Sequence, residues 1–138
     1  MVAILLDTCA LIWLAQGDEL APESVALLSK AADEDDGVVL LSPISAWEIG
    51  LLVSRQRLHI RMSPHQWFAK AVAAPGVRLA DMSPDVLIAS SFLPGRPPCD
   101  PADRIIAATA RDVGATLITR DRALLDYGKQ GHVNVVAC

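Results

Sequence analysis

Short, unbroken apolar runs alternate along this chain with stretches of helical periodicity, and this alternation restricts the fold more than any other feature. Residues 2–6 (Val-Ala-Ile-Leu-Leu), 37–41, 116–119 and 133–136 each read as a strand buried on both faces, since a strand with one wet face would alternate apolar and polar side chains. Between them, four dipeptides set a capping residue before a proline: Ser42-Pro43, Ser63-Pro64, Ser83-Pro84 and Asp100-Pro101. Proline suits the first helical position, where its missing N–H has no partner to lose, so each pair predicts a helix start. Strands alternating with helices imply right-handed crossovers and a mostly parallel sheet covered on both faces, which is the α/β class.

At 138 residues, 52% of them apolar, the chain suits one domain over residues 1–138 with a real core, and no linker, repeat or low-complexity tract divides it. The start lacks the basic lead of a signal peptide, and no apolar run approaches the ~20 residues that span a bilayer, so a cytoplasmic location is expected. Cys9, Cys99 and Cys138 are an odd number without metal-ligand spacing and read as reduced, packing thiols. Twelve Lys and Arg against sixteen Asp and Glu leave a net charge of −4, which argues against a protein that wraps duplex DNA by charge. The basic cluster Arg55, Arg57, His59 and Arg61 reads first as a solvated helix end and second as a face for phosphates.

In α/β sheets, ligands bind beyond the carboxyl ends of the strands. Asp7 follows the first apolar run there, and Asp121 follows Thr-Leu-Ile-Thr-Arg. In the helix predicted from Pro43, Ile44, Trp47, Leu51 and Leu52 form an apolar stripe with Glu48 in its middle, where an ionised carboxylate is costly to bury without a cation. After Pro101, Asp103 shares a face with Ile106, Ala107 and Ala110, while Arg104 and Arg111 mark the wet side. Plainer readings stand beside these: Asp7 and Asp121 as helix caps, Asp103 as a first-turn acid after the cap Asp100, and Glu48 in a buried pair with an arginine. Were the four acids to meet at one sheet edge, their repulsion would raise their pKa values until protons or cations neutralised them. Mg²⁺, with Mn²⁺ as a substitute, is the natural solution, because hard ions take oxygen ligands and accept waters and a phosphate in the remaining positions. His59, His65 and His132 have no ligand spacing that would suit a softer metal.

Four ordered blocks resemble the motifs of PIN-domain ribonucleases of the VapC toxin family: Leu5-Leu6-Asp7-Thr8, Ser45-Ala46-Trp47-Glu48, the run Asp100-Pro101-Ala102-Asp103-Arg104 to Ala110, and Leu117-Ile118-Thr119-Arg120-Asp121. The resemblance implies a Rossmann-like sandwich of about five parallel strands and an acidic metal site of Asp7, Glu48, Asp103 and Asp121 that cuts RNA. The fourth match is the looser one, with Asp126 nearby, and Asp100 either assists through water or serves as a cap. Thr8 and Thr119 match the hydroxyl positions beside the metal, and Arg104 is a candidate phosphate contact.

The implied reaction is phosphodiester hydrolysis by water activated on one or two Mg²⁺ ions, with Glu48 as a second ligand or as the holder of the attacking water. The resemblance further implies a homodimer silenced by a VapB-like antitoxin whose tail crosses the active-site groove. A mean hydropathy of +0.36 and the run Leu11, Ile12, Trp13, Leu14 are compatible with such interfaces. Two rivals keep the scaffold: a DNA nuclease, and a catalytically inactive binding module, whose signature would be a missing acid. A phosphatase of the haloacid dehalogenase class is disfavoured, because Cys9 stands where its second acid belongs.

Overall fold

A computed structural model describes residues 2–138. Five strands, β1 (Ala3–Leu6), β2 (Val38–Leu41), β3 (Val77–Leu79), β4 (Thr116–Thr119) and β5 (Asn134–Ala137), form one sheet in the order β3-β2-β1-β4-β5, with every pair parallel. Helices fill the crossovers: α1 (Thr8–Ala15), α2 (Pro22–Asp33), α3 (Pro43–Ser54), α4 (Pro64–Val72), α5 (Pro84–Ala89), α6 (Pro101–Val113) and α7 (Arg122–Lys129).

The continuous apolar runs form strands because both faces are covered, and successive residues enter different cores. Ile4, Leu6, Leu41 and Ile118 pack with Leu11, Ala31, Ile49 and Phe68 on one face; Leu5 and Leu117 pack with Ile106, Ala107, Leu124 and Tyr127 on the other. At roughly 25 cal/mol per Å² of apolar area removed from water, these two layers are the main stabilising term.

All four predicted helix starts are present, with proline in the first turn. Ser42, Ser63, Ser83 and Asp100 each accept a hydrogen bond from a backbone N–H of the helix they introduce. A fifth proline, Pro22, opens α2 without a side-chain cap. At the other end of α6, Gly114 adopts φ 69°, the left-handed turn that releases the chain into β4.

The strand set needed one correction. The sequence Val77-Arg78-Leu79 forms β3 at the sheet edge, where two of its three residues are exposed; it is short, carries an arginine and shows no apolar run, so Thr116–Thr119 is the fourth strand. The cysteines also differ from expectation: all three are free, but Cys9 and Cys99 are exposed and only Cys138 packs inside. Arg55, Arg57, His59 and Arg61 are solvent-exposed in the connection from α3 to α4. No helix among the described residues is long and apolar enough to cross a membrane.

The order places the site. From β1 the chain moves out to β2 and β3, then returns across the sheet to β4 and β5, so the direction of winding reverses between β1 and β4. At such a reversal the two segments after the strands leave toward opposite faces and open a crevice at the carboxyl edge. Here α1 packs into one core and α7 into the other.

Candidate active site

Asp7 stands at the carboxyl end of β1, only 3% exposed. Its backbone N–H continues the ladder to Ile118 O at 3.1 Å, which fixes the residue beside the end of β4. One carboxylate oxygen accepts from Ala10 N at 2.7 Å as the cap of α1, and the other accepts from the Thr119 hydroxyl. Thr119 is fully buried, and its oxygen in turn accepts from Asp121 N at 2.9 Å. Asp121 caps α7 by accepting from Leu124 N at 3.0 Å. A single buried hydroxyl thus ties the first acid to the turn that carries the fourth.

From the other side, α3 straddles the edge, sending Ile44 to one core and Ile49, Leu52 and Val53 to the other. Glu48 is half-buried, and its Oε1 accepts from the Thr8 hydroxyl at 2.5 Å; Thr8 Oγ1 is also hydrogen-bonded to Ser45 Oγ at 2.9 Å. No arginine among the described residues pairs with Glu48. The stripe expected around it is corrected at Trp47, which is 59% exposed because the buried line of the helix runs through Ser45 and Ile49. Glu48 therefore sits at the border between core and crevice.

The third acid arrives on α6. Asp100 caps this helix by accepting from Asp103 N at 3.1 Å, which places Asp103 in the first turn on the same side as the buried Ile106, Ala107 and Ala110. Capping and clustering are compatible: Asp7, Asp100 and Asp121 cap three helices whose positive ends converge on one crevice and partly offset its charge.

The acids act on one another electrostatically. Burial and then the charges of Asp121, Asp100, Glu48 and Asp7 push the Asp103 carboxyl up to about 7. Burial also raises Glu48, against the Thr8 hydrogen bond and with further upward pressure from Asp100, Asp7 and Asp121. Burial likewise raises Asp7, the hydrogen bonds from Thr119 and Ala10 pull it back, and Asp121 raises it again. Cys9 lies at the same mouth; although the residue is exposed, its thiol is partly desolvated, and this and the four acids push it up to about 11. Among the described residues, none of these carboxylates is ion-paired to a basic side chain. Asp126 lies outside the group, exposed and 3.8 Å from Lys129, whereas Asp100 belongs to it.

The donor set fits a hard divalent cation, since it is all oxygen, acidic and uncompensated. No three His, Cys, Asp or Glu side chains among the described residues close around one point, so such an ion would keep waters or take phosphate oxygens for much of its shell.

Two basic residues lie elsewhere than their sequence positions suggest. Arg104 donates to Ser90 O at 3.4 Å, linking α6 to the end of α5. Arg120, between Thr119 and Asp121 in sequence, stacks on Trp13 with its guanidinium carbon 3.3 Å from the ring centroid, and donates to Cys138 O at 2.8 Å and Glu19 O at 3.1 Å. Sequence patterns assigned no role to Ser45 or Arg120. Ser45 carried a signal, being three residues before Glu48 on a helix; the partners of Arg120 are distant in sequence and carried none.

Comparison with known proteins identifies the family and the fold. Residues 4–130 match the family model described as PIN domain. The chain is 30% identical over 127 residues to "Ribonuclease VapC22" of Mycobacterium tuberculosis, covering 92% of this chain and 93% of that protein. Its fold resembles a chain of the VapBC2 complex of Rickettsia felis bound to a promoter DNA fragment, at TM-score 0.68, 15% identity and coverage of 99% and 98%. It also resembles a chain of FitAcB from Neisseria gonorrhoeae, at TM-score 0.54, 23% identity and coverage of 96% and 95%.

Proposed function

The chain belongs to the PIN-domain family, among its VapC proteins, and on that premise we propose that it is a Mg²⁺-dependent endoribonuclease, the toxin of a toxin–antitoxin pair. The observation that carries the proposal is the group of uncompensated acids at the sheet reversal, drawn from two strand ends and two helices. Such charge is tolerable on folding only with protons or a cation bound, and ribonucleases of this kind work on a phosphodiester that brings further negative charge.

In this reading Asp7 and Asp103, with Asp121, would hold the ion. When bound, Mg²⁺ lowers the pKa of a coordinated water and offsets charge on the scissile phosphate. The side chains then divide the work. Ala10 and Thr119 fix both oxygens of Asp7, so its carboxylate orientation is set before substrate arrives. Thr8 engages Oε1 of Glu48 and leaves Oε2 to hold the attacking water and accept its proton, a role suited by a carboxyl that burial raises above its ordinary value. Burial and the neighbouring acids push Asp103 up to about 7, so a cation held there would favour its ionised form.

The homodimer and the VapB-like antitoxin belong to the same proposal. They are supported by large apolar side chains left in solvent, Trp13, Leu14 and Val25 on α1 and α2 and Leu87, Ile88 and Phe92 on and after α5.

The test is cleavage of RNA and of single-stranded DNA of matched sequence by the purified protein. The expected result is RNA cleavage that requires Mg²⁺ or Mn²⁺, stops in EDTA and is absent from Asp7→Asn. Cleavage surviving in EDTA or in Asp7→Asn would overturn the metal site, and a preference for DNA would overturn the substrate.

A further inference from the structure

Residues 90–100 link α5 to α6 without helix or strand, yet they deliver Asp100 and Asp103 to the crevice. The middle of this connection is docked on the far end of α7. Tyr127, fully buried, donates its hydroxyl to Pro94 O at 2.7 Å. Gln130 pairs with both backbone groups of one residue, as a neighbouring strand would: its Oε1 accepts from Arg96 N at 2.8 Å and its Nε2 donates to Arg96 O at 3.0 Å. Between these anchors, Gly95 has φ 70°, and a Cβ there would stand 2.5 Å from Gln130 Oε1 and 2.8 Å from the His132 ring. The backbone angle favours glycine, and a side chain there would have to displace the Gln130 amide.

The residues after this anchor transmit its position. Pro97 and the buried Pro98 restrict φ at two of the positions between Arg96 and the cap Asp100, which narrows the freedom of this segment. Helix α7 therefore acts at both ends: its cap Asp121 is one acid of the crevice, and its last turn holds the arm that carries two more.

We propose that Tyr127 and Gln130 are positioning residues for the acidic site, clamping the turn at residues 94–96 so that Asp103 is kept among the other acids of the crevice, where the proposed cation would bind. The inference rests on the proposed cation site and goes beyond it, since neither residue belongs to the acidic group and Gln130 is exposed on the far end of the helix.

The experiment titrates Mn²⁺ into the full-length protein without RNA, reading free Mn²⁺ by electron paramagnetic resonance, in wild type, Gln130→Ala, Gly95→Ala and Asp126→Ala. Amide exchange at Arg96 reports whether the clamp has opened. In Gln130→Ala and Gly95→Ala, faster Arg96 exchange should accompany a dissociation constant raised about fivefold to tenfold, with the cation-free melting midpoint of Gln130→Ala little changed. Asp126→Ala, on the same helix but outside clamp and crevice, should bind as wild type does. Wild-type affinity in a Gln130→Ala protein whose Arg96 amide exchanges faster would overturn the clamp alone. An equal loss in Asp126→Ala would also overturn it, by marking a general effect of loosening α7. A wild type that binds no Mn²⁺ would remove the cation site itself, and this role with it.

Discussion

Asp7 and Asp103 share one crevice, yet the chain holds them by opposite means. Asp7 ends a central strand, with its N–H in the sheet ladder and both carboxylate oxygens bonded, to Ala10 and to Thr119. Asp103 stands on the first turn of a helix approached by an irregular connection, and its carboxylate has no hydrogen-bond partner among the described residues. Sheet register fixes the first; the stiffness of an arm fixes the second. The charges reflect this difference, because hydrogen bonds draw Asp7 back down while no bond counters burial and repulsion at Asp103, which rises to about 7. In a cluster of like charges, a carboxyl without hydrogen-bond donors meets burial and repulsion unopposed.

Neutralising either acid should give the largest effect and separate the two by stability. Asp7→Asn and Asp103→Asn are both expected to lose detectable RNA cleavage. In EDTA at neutral pH, Asp103→Asn should melt higher than wild type, since repulsion goes and no hydrogen bond is lost, and Asp7→Asn should gain less. Thermal melts beside a cleavage assay decide this, and unfolding of Asp103→Asn would turn the contrast around. Glu48→Gln ranks second, with cleavage slowed by about a hundredfold to ten-thousandfold if Glu48 is the general base. A loss smaller than tenfold in single-turnover rate would leave it only a bystander.

Thr119→Val comes next, because it keeps the shape of a fully buried side chain and removes the hydroxyl that holds Asp7. Cleavage should fall about tenfold to a hundredfold, and urea unfolding should show a loss of about 1–3 kcal/mol. Thr119→Ser should retain most of both, and an equal loss there would point to packing rather than the hydrogen bond.

The pH dependence is gentler. Folding moves the Asp103 carboxyl from its ordinary 3.8 up to about 7, so between these values the folded chain holds a proton that the unfolded chain has released. Stability without divalent ions should therefore fall as pH rises through that window. Melting in EDTA should be higher at pH 5 than at pH 8, and Mg²⁺ or Asp103→Asn should flatten the slope. The smallest effect is Asp126→Asn, exposed and, among the described residues, paired with Lys129 alone, where cleavage should stay within about twofold of wild type.

Much of this architecture was legible because its signals are local. A capping side chain and the proline after it bond or constrain atoms a few residues away, and Ser42-Pro43, Ser63-Pro64, Ser83-Pro84 and Asp100-Pro101 all begin helices. Strands buried on both faces announce themselves as unbroken apolar runs, and β3, an edge strand with Arg78 at its centre, did not. Trp47 was misplaced for a related reason: periodicity identifies a stripe but does not say which side of α3 meets the two cores.

By itself, the sequence determined the alternation of strand and helix, the points where helices begin, and which acids stand at strand ends or beside apolar neighbours. Each of these is written in residues within one helical turn of each other. Tertiary structure alone decided the strand order and with it the reversal between β1 and β4, the joining of Thr119 to Asp7 and of Thr8 to Glu48, and the docking of residues 94–96 on α7. Those contacts bridge between 33 and 112 positions of chain, where no spacing rule operates and only the packing of whole elements brings the partners together.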